Sequence, residues 1–227
     1  MKSQETLSNM IWRAFAGSQK HLTAGTEHVR RFASGYSPLL AFAEPSSADF
    51  AQIAPFCESG ERFYCGEWTG AEPAGWKIEL DTTMCPMLWN GSPPSADESL
   101  SVVRLRSEHV PQAMELTTLT RPGPFGERTI ELGEWYGVFE DGLLIAMAGE
   151  RLQDGPLREI SGICTRPEFQ GRGLARRMTE LMIRRLLARG ETPFLHVAAK
   201  NVRAVELYKK MGFVVTREVP MRIVIRN

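Results

Sequence analysis

The chain has 227 residues, with 27 basic and 27 acidic side chains balancing to a formal net charge of zero. That length suits one large domain or two small ones with a proper core. The balance excludes a surface built for general nucleic-acid binding, which needs a strong positive excess.

No run of about 18 apolar residues offers a membrane span. Cys57, Cys65, Cys85 and Cys164 stand apart, without a CxxC pair or a histidine at metal-ligand spacing. Reduced thiols in a cytoplasmic protein, and no metal, are therefore expected. The N-terminal stretch MKSQETLSNMIWRAF lacks the uninterrupted apolar core and small-residue cleavage site of a signal peptide.

Residues 6–17 read as a helix, 37–44 as a short apolar strand, 47–57 as a helix capped by Ser47 or Asp49, and 61–68 and 76–89 as strands. This first part is mixed α and β, and its Trp and Phe residues read as core. The stretch NGSPPSADES, 90–99, is rich in Gly, Pro, Ser and Asp and reads as a loop or linker. It divides an N-terminal α/β region, 1–95, from a second unit, 101–227.

In the second unit 101–106 reads as a strand, and Ser107 caps a helix reaching Thr120. Residues 134–152 form a hairpin, because Asp141-Gly142 supplies the positive φ that a tight turn needs. Residues 157–165 are a third strand. From Gly171 to Arg189, Leu174, Met178, Leu181, Met182 and Leu186 recur on one helical face, and Gly190 sits where a left-handed C-terminal residue belongs. A strand at 194–199 and a helix from Asn201 to Met211, stopped by Gly212, follow. Residues 213–219 and 221–227 read as a closing hairpin. The order from residue 101 is β-α-β-β-β-α-β-α-β-β, with irregular structure between Arg121 and Gly133, and implies a mixed sheet with helices packed on it.

The turn into the long helix carries the chemistry. A helix N-terminus exposes backbone N–H groups without partners, and its dipole adds partial positive charge. Gly171 and Gly173 let that backbone approach a bulky anion without a Cβ in the way. Arg172, Arg176 and Arg177 stand close enough to add charge-assisted bonds. Neither the GxxxxGK[ST] loop nor the GxGxxG spacing of a dinucleotide fold is present. Alone, the turn supports equally an anion site and a capped surface helix.

The surrounding residues narrow the choice. Ile160-Ser161-Gly162-Ile163-Cys164-Thr165-Arg166-Pro167, then Gln170-Gly171-Arg172-Gly173-Leu174-Ala175, and later LHVAAKNVRAVELYKKMGF make the stretch 160–213 resemble the acyl-CoA-binding core of the GNAT superfamily of N-acetyltransferases. In style it is similar to the glycine N-acyltransferase-like group. The resemblance covers residues 101–227 and implies a mixed, mostly antiparallel sheet flanked by helices. It also implies that the N-terminal α/β region is a degenerate second half walling an acceptor cleft.

The co-substrate implied is acetyl-CoA, with an amine as acceptor; a monomer or homodimer without nucleic-acid or membrane partners is expected. The backbone from Gln170 to Ala175 would wrap the CoA pyrophosphate. The main chain of Ile163 and Thr165 would bond the pantetheine, and Asn201 would bond it or cap its own helix. Arg172, Arg176 and Arg177 are candidates for the ribose 3′-phosphate. A main-chain N–H near Ile163 or Cys164 would hold the oxyanion. Tyr208 matches the tyrosine that protonates the departing thiolate. Glu159 is the candidate base, directly or through water, with Glu150 and His196 as competitors; His196 also reads as a satisfied buried histidine. A CoA-binding protein without catalysis is the other reading that these residues allow.

Overall fold

In the computed structural model, which describes residues 7–227, the Asp141-Gly142 turn is the tight hairpin read from sequence. Both residues are left-handed, with φ 50° and 78°, and they join strands β7 (Trp135–Glu140) and β8 (Leu143–Asp154), paired Glu140 to Leu143. The remaining strands, in chain order, are β1 (Thr23–Gly25), β2 (Val29–Phe32), β3 (Leu39–Phe42), β4 (Arg62–Gly66), β5 (Trp76–Trp89), β6 (Val103–Arg104), β9 (Leu157–Thr165), β10 (Thr192–Ala198), β11 (Phe213–Val215) and β12 (Val219–Arg226). The helices are α1 (Met10–Ala16), α2 (Val110–Thr120), α3 (Leu174–Ala188) and α4 (Val202–Lys210).

The twelve strands among the described residues belong to one sheet, ordered β1-β2-β3-β4-β12-β5-β10-β9-β8-β7-β6, with β11 on β5. Every pairing is antiparallel except β3 with β4 and β9 with β10. The fold is thus a mixed, mostly antiparallel sheet flanked by helices. Strand β5 precedes the 90–99 stretch, yet it pairs with β10, β11 and β12, all of which follow it. The sheet is therefore continuous across that stretch.

Helix α3 buries Leu174, Met178, Met182, Ile183 and Leu186 on one face of the sheet. Met178, Met182, Ile183 and Leu186 there meet Ile160, Leu195, Val205, Tyr208 and Phe213, and Leu174 packs with Ile145 and Ala146, each large apolar side chain contributing about 1.5–3 kcal/mol. Helix α1 covers the other face, where Met10, Ile11, Ala14 and Phe15 pack with Leu152, Leu157, Phe194 and Met221. Gly190 closes α3 at φ 73°, as its position predicts.

Four local readings are corrected. Residues 47–57 form no α-helix, only 3₁₀ turns at Pro45–Ser47 and Ala54–Phe56. Pro45 and Pro55 leave too few uninterrupted N–H groups to close a helical ladder. Strands β1 and β2 were missed because their polar residues conceal the pattern; Arg31 is buried there against Glu61 at 2.5 Å. Ser107 does not cap α2 but opens a 3₁₀ turn, Ser107–His109, in front of it. Strands β11 and β12 do not pair with each other; both lie antiparallel to the 14-residue β5. The expected start of the first helix near Thr6 falls outside the described residues.

Candidate active site

Parallel pairing of β9 and β10 stops almost as soon as it begins. It covers only Leu157 to Glu159 against Thr192 to Phe194. Beyond that point β9 stays with β8 and β10 with β5, so the sheet opens into a split. The N–H of Arg166 donates to Ile145 of β8 at 2.8 Å. By the alternation of an antiparallel ladder, the main-chain groups of Ile163 and Thr165 then face away from β8, toward the split. The Thr165 carbonyl accepts from the Gln170 side chain at 3.4 Å on that side. Gly162 makes the bend possible: it is left-handed at φ 61°, and a Cβ there would lie 2.4 Å from the buried Trp135 ring.

At the end of this edge stands the glycine turn. Gly171 and Gly173 are left-handed, at φ 82° and 73°, and a Cβ on either would meet nothing within 4 Å. The space above the turn is therefore open. The backbone N–H groups of Gly171, Arg172, Gly173, Leu174, Ala175 and Arg176 make no hydrogen bond among the described residues. Six adjacent free donors at the positive end of a helix suit an anion carrying several oxygens. Gly173 occupies the cap position without a side chain to satisfy them.

Around the turn, each arginine has a carboxylate partner. Arg172 bonds Glu140 at 2.9 Å and stacks on Phe169, and Arg176 bonds Glu180 at 2.8 Å. Both side chains are more than half exposed, and such surface pairs exchange partners at little cost. Arg177 is committed elsewhere. It bonds Asp97 at 2.6 Å and Ser99 at 2.7 Å, and Arg184 holds the Ser95 carbonyl at 2.7 Å. Hydrogen bonds from Arg177 hold the Asp97 carboxyl down to about 2. The polar 90–99 stretch is thereby strapped along α3.

Tyr208 lies on the α3 face of the split, beside Ile163 and Leu195, with its ring edge-on to Phe213. Its hydroxyl makes no hydrogen bond among the described residues. Burial, with a smaller contribution from Cys164, pushes the phenol up to about 12, so it holds its proton at neutral pH. Asn201 caps α4, its Oδ1 accepting from the Ala204 N–H at 3.2 Å; the residue is exposed, and its amide nitrogen remains free to donate. Cys164 faces away from α3 and packs with Trp135, Ala113 and Leu116, where burial raises its thiol to about 12. Only its main chain borders the site.

Glu159 is fully buried. Arg151, on β8, grips it with two hydrogen bonds of 2.8 and 2.7 Å, and His196 Nδ1 lies 2.7 Å from its Oε1. Burial alone would raise this carboxyl, but the Arg151 guanidinium, aided by His196, outweighs it and holds the group down to about 2. A carboxylate so stabilised is a poor proton acceptor. Glu150 is also buried, bonded by Arg189 at 2.6 Å and near Arg158. His196 stands two residues past Phe194, the last residue of β10 that pairs with β9, and lies on the α1 face with Phe194. Its Nε2 has no hydrogen-bond partner among the described residues.

Among the described residues, no cluster of His, Cys, Asp and Glu could hold a metal ion, and no helix is long and apolar enough to cross a membrane.

Residues 135–221 match the family model of the FR47-like proteins. A protein from Novosphingobium aromaticivorans, assigned to the GNAT family of acetyltransferases and known from its crystal structure, is 33% identical, with 97% of this chain and 98% of that one covered and a TM-score of 0.89. A GCN5-related N-acetyltransferase-like protein from Streptococcus suis shares the fold at 14% identity, over 100% of this chain and 99% of that one, with a TM-score of 0.64. The mycothiol acetyltransferase of Catenulispora acidiphila is 43% identical over 61 residues, which span 26% of this chain but only 19% of that enzyme.

Proposed function

The chain belongs to the GNAT family of acetyltransferases, and from that premise we propose that it moves an acetyl group from acetyl-CoA to a primary amine, by direct attack while both substrates are bound. The observation that carries this reading is the row of six unpartnered N–H groups at the head of α3. They fit a pyrophosphate, and no Cβ obstructs its approach.

The roles of the chain's own residues follow from their places. Gly171 to Arg176 receive the pyrophosphate; the Gln170 N–H, expected to join them, is instead spent on the Pro167 carbonyl at 3.2 Å, and Arg172 and Arg176 are near enough to turn toward a phosphate. The split-facing main chain of Ile163 and Thr165 bonds the pantetheine as an added strand would, which directs the thioester toward Tyr208. The Ile163 N–H is placed for the developing oxyanion, and the free amide of Asn201 donates to the arm. Tyr208 supplies the proton that the departing sulfur takes up.

Helix α1 lies under the opposite face, close to Leu157 and Phe194. We assign the N-terminal region to walling the acceptor side, a layout in keeping with the glycine N-acyltransferase-like group. A walled cleft favours a small amine or amino acid over a protein surface.

The test is release of the CoA thiol from acetyl-CoA in the presence of amino acids, polyamines, aminoglycosides and short peptides, with mass spectrometry of the product. One acceptor should gain a single acetyl group. CoA binding with no acetylated amine would reduce the protein to a CoA-binding one.

A further inference from the structure

We infer that His196 is the general base of this site, and that Glu159 and Arg151 are positioning residues that set its tautomer. The inference rests on the amine-acetylation reading above and names a group for the one role still open within it.

The argument starts from hydrogen-bond inventory. The Glu159 carboxylate is ionised and can only accept. Since Oε1 lies 2.7 Å from His196 Nδ1, the proton of a neutral imidazole sits on Nδ1, and Nε2 is left as a bare acceptor. Arg151 fixes the carboxylate through both oxygens, so the carboxylate does not turn away from the ring. This arrangement of base, orienting carboxylate and anchor is the one that makes a histidine effective in proton abstraction.

Position agrees with chemistry. His196 occupies β10 just where the split opens, and its ring keeps about 10% of its side-chain surface open. Leu195 and Val197, its chain neighbours, point to the other face and pack with Tyr208. Proposed base and proposed acid therefore lie on opposite faces of the opened sheet, on the amine side and the CoA side respectively. Among the described residues the charged group bonded to the ring is Glu159 from β9, whose carboxylate is in turn held by Arg151 from β8. The partner of His196 across β5 is the uncharged Pro86. Helix α1 presents apolar side chains to this face, while its Arg13 turns to Asp154.

The protons balance. Nε2 takes one proton from the bound ammonium, and the freed amine forms the C–N bond to the acetyl carbon as the C–S bond breaks. Tyr208 gives its proton to the sulfur and is restored by the second nitrogen proton, shed as the amide forms. The proton on His196 passes to solvent.

Two measurements test the assignment. In the free protein at pH 8, the long-range nitrogen–proton NMR spectrum of His196 should show the Nδ1–H tautomer; an Nε2–H tautomer would overturn the relay whatever the acceptor is. With an amine substrate, His196→Gln should lower kcat about 10²–10³-fold at pH 7 and leave acetyl-CoA affinity unchanged. In Glu159→Gln the preference for the Nδ1–H tautomer should weaken in the same NMR spectrum, because the acceptor-only carboxylate facing Nδ1 is gone. An unchanged rate in His196→Gln would overturn the base role while amine acetylation by the unaltered protein stood. Absence of acetylation of every amine would instead defeat the wider reading.

Discussion

Replacing Gly173 with glutamate should abolish CoA binding, weakening affinity at least about 100-fold, or roughly 3 kcal/mol, while the fold persists. Gly173 is not packed against anything: a Cβ there meets no atom within 4 Å. Its left-handed φ of 73° favours glycine, and on the proposed reading so does the approach of an anion to bare backbone. Alanine strains the first alone, at a cost of about 1–2 kcal/mol in folding stability. Glutamate would add a carboxylate beside the free N–H groups at the head of α3, where it should both repel and replace the proposed pyrophosphate. Calorimetric titration of CoA into Gly173→Ala and Gly173→Glu separates backbone strain from charge. Tight binding by the glutamate variant would remove the turn from the site.

The second large effect is confined to turnover. Tyr208→Phe should lower kcat by about 10²–10⁴ with little change in the KM for acetyl-CoA. The ring, edge-on to Phe213 with centroids 5.9 Å apart, stays in place. The lost hydroxyl leaves no partner unsatisfied, since it bonds nothing among the described residues, so stability is preserved. Burial raises the phenol to about 12, but the same dry surroundings penalise a thiolate forming beside it, and proton transfer between the two stays matched. Steady-state kinetics at saturating amine checks this; an unchanged kcat would take the acid role from Tyr208.

Much of the candidate site is visible in the chain because the elements that compose it are local. Gly171, Gly173 and the apolar stripe from Leu174 to Leu186 define a helix start over a few residues, and Asn201 stands at the cap where its side chain bonds Ala204. The Asp141-Gly142 turn is equally self-contained. What escaped the sequence is non-local. Glu159 looks like a base until Arg151, eight residues away in the chain and adjacent only through β8–β9 pairing, closes on it. His196 reads as core because Leu195 and Val197 flank it; its free Nε2 depends on where β9 and β10 part. The closing strands look like a hairpin until the 14-residue β5, more than a hundred residues earlier in the chain, pairs with both. Pattern alone does not reveal which strand a β-edge will choose.

The central claim is that the backbone from Gly171 to Arg176 receives the pyrophosphate of CoA, and amide hydrogen exchange reads that backbone directly. On addition of CoA, these six amides, now unpartnered at the head of α3, should become strongly protected while those of α2 and β1–β3 do not change. Protection that appears elsewhere and leaves these six exchanging as before would contradict the account.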